Sequence, residues 1–198
     1  MSDEPHSNRP SPESRRQQIL DAACERVRQS GFHGASMADI AKAAGLSVGQ
    51  IYRYFENKEA IIAAIVAQDL AEMRDKFAEM ESQPGDLLDA IEEHMPEGID
   101  KCFDPRRAAL ALEVVAEAAR NPKVAAIVRA ADEQERALAK TMMERGRKPE
   151  WSEAEFQARC EAVGMIFDGL LMRGVNHPDL DREALAAVLR STVRHLLG

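Results

Sequence analysis

The sequence predicts an all-α protein of about nine helices, with a three-helix N-terminal domain that holds a helix-turn-helix and a larger helical domain after it. Three observations predict this. Apolar residues recur three and four positions apart along most of the chain, and no stretch alternates as a strand would. The composition is rich in Ala and poor in Thr and Tyr, which favours helix. Capping residues stand at the heads of the periodic runs, several followed by Pro or by an acidic or amide residue three positions on. With 198 residues and 45% hydrophobic content, the chain can build one sizeable core or two modest ones.

The elements follow in order. Residues 1–13, rich in Pro and Ser, read as a disordered tail. Ser14 to Ser30 is the first helix, with Ile19, Ala22, Ala23 and Val27 as its stripe, and Gly31 and Gly34 close it. Ser36 with Asp39 opens the second helix, and Gly45 sits where a left-handed C-terminal cap is needed. Ser47 with Gln50 is a capping box that starts a short third helix, roughly Val48 to Tyr54. Asn57 caps a fourth that runs to about Met80, carrying Ile61, Ile62, Ile65, Leu70, Met73 and Phe77 on its apolar face. A fifth is expected from about Pro84 to Asp100, kinked at Pro96. Asp104-Pro105 and Asn121-Pro122 pair a cap with a first-turn proline and place helices at about 105–119 and 122–145. Ser152 with Glu155 is another capping box, opening a helix over about 152–175, and Asp181 caps the last, to about Leu197. The domain division is therefore 14–60 for the helix-turn-helix domain and 61–198 for the helical body.

The stretch from Ala35 to Phe55 carries the chemistry. Two capped helices joined by a short turn with glycine make a helix-turn-helix. Ile51 and Phe55, four apart, face inward beside Leu46, which leaves Val48, Gly49, Gln50, Tyr52, Arg53 and Tyr54 outward or along the edge. Such a surface suits DNA. The exposed amides at a helix start favour phosphate, Gln50 can read a base edge, Tyr52 can donate its hydroxyl to a phosphate, and Arg53 can do either. Lys58, opening the next helix, can clamp the backbone, and Arg15 and Arg16 are further candidates for phosphate contact.

The segment GFHGASMADIAKAAGLSVGQIYRYFENKEAII resembles the N-terminal DNA-binding region of TetR-family transcriptional regulators. The resemblance rests on Gly31-Phe32, Ser36, Ile40-Ala41, Gly45-Leu46-Ser47, Ile51-Tyr52-Arg53-Tyr54-Phe55 and Lys58-Glu59. Ile51 replaces the family's usual Leu, Arg53 stands where His is common, and Gln50 where a small residue often sits. These departures bear on which operator is read. The resemblance implies that Ser36, Met37, Ser47, Val48, Gly49, Gln50, Tyr52, Arg53, Tyr54 and Lys58 form the DNA-binding set. It also implies a ligand-responsive repressor that reads a pseudopalindromic operator as a homodimer. The run from Phe167 to Gly174, with Pro178 to Asp181, is similar to the C-terminal domain of the betaine-inhibitor-like subgroup.

In the body, small residues (Gly164, Gly169, Ala186, Ala187) beside Leu and Val on the last two helices suit half of an antiparallel four-helix bundle, the manner in which the family dimerises. The resemblance further implies a small-molecule effector held between helices four to eight, with Met95, Phe103, Leu110, Met142, Met165, Phe167, Asp168 and Met172 as candidate lining. Asp168, Glu113 and His94 could supply polar handles there. In the family-like arrangement the fourth helix, about 30 Å long, carries the effector signal to the DNA reader.

The net charge of −8 does not oppose DNA binding. The first 60 residues carry eight basic and eight acidic side chains, so the acidity lies wholly in the body, and affinity depends on local phosphate contacts. No apolar run approaches the roughly 20 residues that span a bilayer, and the polar N-terminus lacks a signal-peptide core, so a cytoplasmic location is expected. Cys24, Cys102 and Cys160 are far apart and odd in number, and are expected as reduced, largely buried thiols. The five histidines show no i, i+4 ligand pair, and no phosphate loop or nucleophile elbow is present, so neither a metal, a cofactor nor an enzyme is expected. The competing class is a helical interaction protein whose helix-turn-helix binds a partner protein.

Overall fold

Capping side chains set most of the helix boundaries, as the spacing of Ser, Asp and Asn predicts. The computed structural model describes residues 11–198, and these form nine α-helices, one 3-10 turn and no strand. The helices are α1 (Pro12–Gly34), α2 (Met37–Ala43), α3 (Val48–Ile51), α4 (Lys58–Ser82), α5 (Leu87–Cys102), α6 (Pro105–Ala118), α7 (Pro122–Met143), α8 (Glu153–Asn176) and α9 (Arg182–Leu197).

Several details differ from the sequence expectation; α3 ends at Ile51 and not near Tyr54, because the chain tightens there, with the Arg53 amide donating to the Gln50 carbonyl and the Tyr54 amide to that of Ile51. Most of the expected tail lies outside the described residues, but Pro12 and Glu13 belong to α1, because Ser11 accepts the Ser14 amide at 3.0 Å and Pro12 needs no amide partner there. At its other end α1 continues past Ser30. Gly31 takes φ 68°, and one further turn carries Phe32 into the core. α5 starts at Leu87, since Asp86 caps it through the Leu88 amide, and it runs on through the exposed Pro96 to Cys102. At α8, Ser152 accepts the Glu155 amide at 3.2 Å, but the Glu155 carboxylate turns to Arg159, so only half of the expected box forms.

The chain divides into two compact units between Ile65 and Val66. In the first, Ile19, Leu20, Ala23 and Val27 of α1 bury against Ile40, Ala41 and Ala44 of α2, Ile51 of α3, Phe55, and Ile61 and Ile62 of α4. In the second, α5 packs on α8 and α9, and α6, α7 and α8 pack on one another. The core there includes Met95, Ile99, Phe103, Met142, Trp151, Phe156, Val163, Leu170, Val193 and Leu197. Arg107 of α6 ties itself to Asp69 and Glu72 of α4 at 2.9 and 2.8 Å, and Arg194 of α9 bridges Asp89 and Glu92 of α5. The α6–α7 corner is built on Glu117, only 1% exposed, whose carboxylate accepts from Arg120 and from Asn121. The three cysteines are half-buried and form no disulfide.

Gly174 of α8 stands where α8 passes close to the end of α5. A Cβ there would lie 2.8 Å from the Cys102 carbonyl oxygen and 3.0 Å from Phe103 Cα, both backbone atoms that cannot swing aside. Gly174→Ala is therefore expected to destabilise the protein by about 1–2 kcal/mol, the overpacking cost exceeding the roughly 1 kcal/mol that alanine gains in helix propensity. Urea unfolding checks this; an unchanged or raised midpoint would show that the two helices separate at little cost.

Candidate nucleic-acid interface

The interface is built from two reciprocal caps and one turn. Ser36 Oγ accepts the Asp39 amide at 3.1 Å, and the Asp39 carboxylate accepts the Ser36 amide at 3.2 Å and its hydroxyl at 2.5 Å. The Ser36 hydroxyl, then the Ser36 amide, holds the Asp39 carboxyl below its ordinary value. At the end of α2 the Gly45 amide donates to the Lys42 carbonyl and the Leu46 amide to that of Ala41, a Schellman ending that needs the left-handed φ of 64° at Gly45. Ser47 then caps α3. Its hydroxyl accepts the Gln50 amide at 3.3 Å, while Gln50 Oε1 accepts the Ser47 amide at 2.9 Å and its hydroxyl at 3.1 Å.

Ile51 and Phe55 anchor α3 from beneath, both fully buried. Val48, Gly49, Gln50, Tyr52 and Arg53 are exposed, with Tyr52 53% accessible, and Tyr54 is half-buried. Past Ile51 the helix tightens, with Arg53 donating to Gln50 O and Tyr54 to Ile51 O. Met37 is half-buried at the start of α2, whereas Ser36 and Ser47 are exposed.

Long-range contacts hold this hairpin, and the sequence did not announce them. Gln18 of α1 donates to the Ala44 carbonyl at 2.7 Å, closing the end of α2. Arg16 sits over the Phe55 ring at 4.3 Å and reaches the Tyr54 carbonyl at 3.4 Å. Arg15 pairs with Gln18. Lys58 donates to the Phe32 carbonyl at 2.5 Å and lies 4.2 Å from the centre of the Phe32 ring, so its ammonium locks the end of α1 to the start of α4. Any phosphate contact by Lys58 would compete with that lock.

The effector candidates do not converge on one place. Met95, Phe103 and Met142 are buried in the core of the second unit, Phe167 packs against that core and touches Gly98, and Leu110 is half-buried on α6. Met165 and Met172 are not interior. They are 67% and 48% exposed, because the α8 positions that follow Val163 and Leu170 by two residues point away from the buried stripe. Asp168 is exposed as well. Of the proposed polar handles, His94 bonds the Ala90 carbonyl on its own helix.

A charge feature of the body escaped the sequence reading. Burial pushes the Glu135 carboxyl up from its ordinary 4.5, and the carboxylates of Asp132, Asp69 and Asp168 push it the same way. A raised carboxyl stabilises the fold fully below its unfolded value and loses that contribution as pH rises through its folded value. Glu135→Gln should therefore raise the melting temperature at pH 7 by about 1–2 °C, a gap that narrows as the pH falls and the wild-type carboxyl takes up its proton. A gap independent of pH would refute the assignment.

Two family models match the chain. Residues 19–65 match "Bacterial regulatory proteins, tetR family", and residues 85–198 match "BetI-type transcriptional repressor, C-terminal". Among curated relatives, the HTH-type transcriptional regulator UidR of Escherichia coli (strain K12) is 38% identical over 114 residues, 58% of this chain and 57% of that protein. The HTH-type transcriptional regulator BetI of Escherichia coli O139:H28 is 38% identical over 61 residues, 31% of each. The match thus spans little more than half the length of the first of these relatives. Among solved structures, Salmonella enterica GusR superposes with a TM-score of 0.77 at 25% identity, covering 94% of this chain and 97% of that one. FadR from Bacillus subtilis, solved in complex with stearoyl-CoA, shares the fold with a TM-score of 0.73 at 20% identity over 92% of this chain and 97% of its own.

Proposed function

The chain belongs to the TetR family of bacterial regulatory proteins, with a C-terminal region of the BetI type, and from that membership we propose that it is a dimeric repressor released from a pseudopalindromic operator by a small-molecule effector. The observation that carries the reading is the α2–α3 hairpin. Both helices are reciprocally capped, Ile51 and Phe55 fasten α3 from below, and Gln50, Tyr52 and Arg53 are left exposed. Tyr52 and Arg53 hydrogen-bond no other side chain among the described residues, so their donors are available to phosphate and base edges. Ser36, Met37, Ser47, Val48, Gly49, Tyr54 and Lys58 complete the proposed surface.

We infer that the second copy docks on α8 and α9, and the side chains these helices expose support that reading. α8 exposes Met165, Gly169, Met172 and Val175 at helical spacing, and α9 exposes Ala184, Val188 and Ser191. A Cβ built on Gly164 or Gly169 would meet nothing within 4 Å, which leaves room for a helix of a partner. Apolar side chains presented in this way suit an interaction surface, and the two-fold symmetry of a dimer calls for a pseudopalindromic operator with half-sites about one helical turn, ~34 Å, apart or slightly more. The effector would lie within the second unit. FadR of Bacillus subtilis, whose fold this chain shares, was solved with an acyl-CoA. No helix among the described residues is long and apolar enough to cross a membrane, in keeping with the proposed cytoplasmic action on DNA.

Selection of bound sequences from a random duplex pool, followed by titration of the winner against salt, tests the proposal. A two-fold symmetric motif is expected. Arg53→Ala should weaken binding to it about tenfold and lower the slope of log affinity against log salt by about one, the signature of a lost phosphate contact. A pool that shows no enrichment defeats the reading.

A further inference from the structure

We propose that Gln50 is a specificity-determining residue of the recognition surface and that it selects guanine over adenine at one position of each half-site; the inference rests on the operator-binding reading above. Gln50 stands on the exposed face of α3, third from the helix start, beside Val48 and Gly49. Nothing lies within 4 Å of a Cβ built on Gly49, so the backbone there can approach a groove closely. The amide of Gln50 is not free to turn. Its Oε1 accepts from the Ser47 backbone amide at 2.9 Å and from the Ser47 hydroxyl at 3.1 Å. A backbone N–H can only donate, so the atom facing it must be the oxygen, which removes the usual ambiguity between the two ends of a glutamine amide.

Specificity follows from that orientation. A glutamine that reads adenine in the major groove uses both ends, accepting from N6 and donating to N7. Here the oxygen is taken by Ser47, and the adenine N6 amino group would face Nε2, donor against donor. Guanine presents two acceptors on the same edge, O6 and N7, which the two hydrogens of Nε2 can satisfy together. Reading adenine would require Gln50 to leave the cap and strand the Ser47 amide at the head of α3. The same local bond that starts the recognition helix therefore decides what its third residue can read.

Gln50→Glu isolates this effect. Glutamate at the third helical position keeps the capping box, so the melting temperature should be unchanged, but the two donors are gone and the second carboxylate oxygen only accepts. Motifs selected from a random duplex pool by the full-length wild type and by Gln50→Glu are compared. The wild-type motif should hold one guanine per half-site whose replacement by adenine weakens binding on the order of tenfold. The variant should lose that preference and favour cytosine, whose N4 amino group donates, at the same position. A wild-type adenine at the position that responds to Gln50→Glu, or a variant motif identical to the wild type, overturns the inference alone. No motif from the wild type overturns it together with the operator-binding reading.

Discussion

Val188→Glu is expected to yield a folded monomer that has lost operator binding by two orders of magnitude or more. Val188 is 62% exposed on α9, so the charge costs the isolated subunit little. Buried against a partner, one carboxylate from each copy would be desolvated, which strongly disfavours the dimer. Loss of the dimer converts two tethered half-site contacts into one, and such tethering is worth about a hundredfold to ten-thousandfold in affinity. Sedimentation measures the mass and a titration with the selected operator measures the affinity. Met165→Glu on α8 should act alike, since Met165 is 67% exposed on the neighbouring helix. A variant that remains dimeric would move the interface away from α8 and α9.

Phe156→Ala is expected to cost about 3–5 kcal/mol. The ring is wholly buried and lies 4.9 Å from the Arg147 guanidinium. Arg147 also reaches Glu144 at 3.0 Å, Glu153 at 2.7 Å and the Trp151 carbonyl at 3.2 Å, so it ties the 3-10 turn Glu144–Gly146 to the start of α8. Removing the ring leaves a cavity under that junction and takes away the face on which the guanidinium rests. For a chain of this size the melting temperature should fall by about 6–20 °C. A fall of under 2 °C would mean that neighbouring side chains collapse into the space. The caps of α2 and α3 lie in the other unit and should persist, which circular dichroism against partial denaturation can show.

The helix starts were legible because their chemistry is local. Ser36 with Asp39 and Ser47 with Gln50 close hydrogen bonds within one turn, so residue identity at two positions suffices to place them. Gly45 was legible for the same reason, since its φ of 64° is a property of one residue in one turn. The inward pair Ile51 and Phe55 followed from a spacing of four. Met165 and Met172, expected from the family resemblance to line an effector site, lie on the outer side of α8, because a helix with apolar residues around more than one face does not say which face is inside.

By itself, then, the sequence determined the all-helical class, the order and near-boundaries of the helices, and the hairpin of α2 and α3 with its exposed side chains. The tertiary structure decided what holds that hairpin and what each polar side chain is free to do. Arg16 is 39 residues from Phe55 and covers its ring, Gln18 closes α2 across a separation of 26, and Lys58 reaches back 26 to Phe32. Glu117 is a buried corner post although its sequence surroundings are those of a surface turn. Gly174 is small because Cys102 passes beside it. Caps and periodicity are written in neighbours three or four positions apart, whereas these contacts exist only after helices distant in sequence have packed, and packing is a property of the whole core.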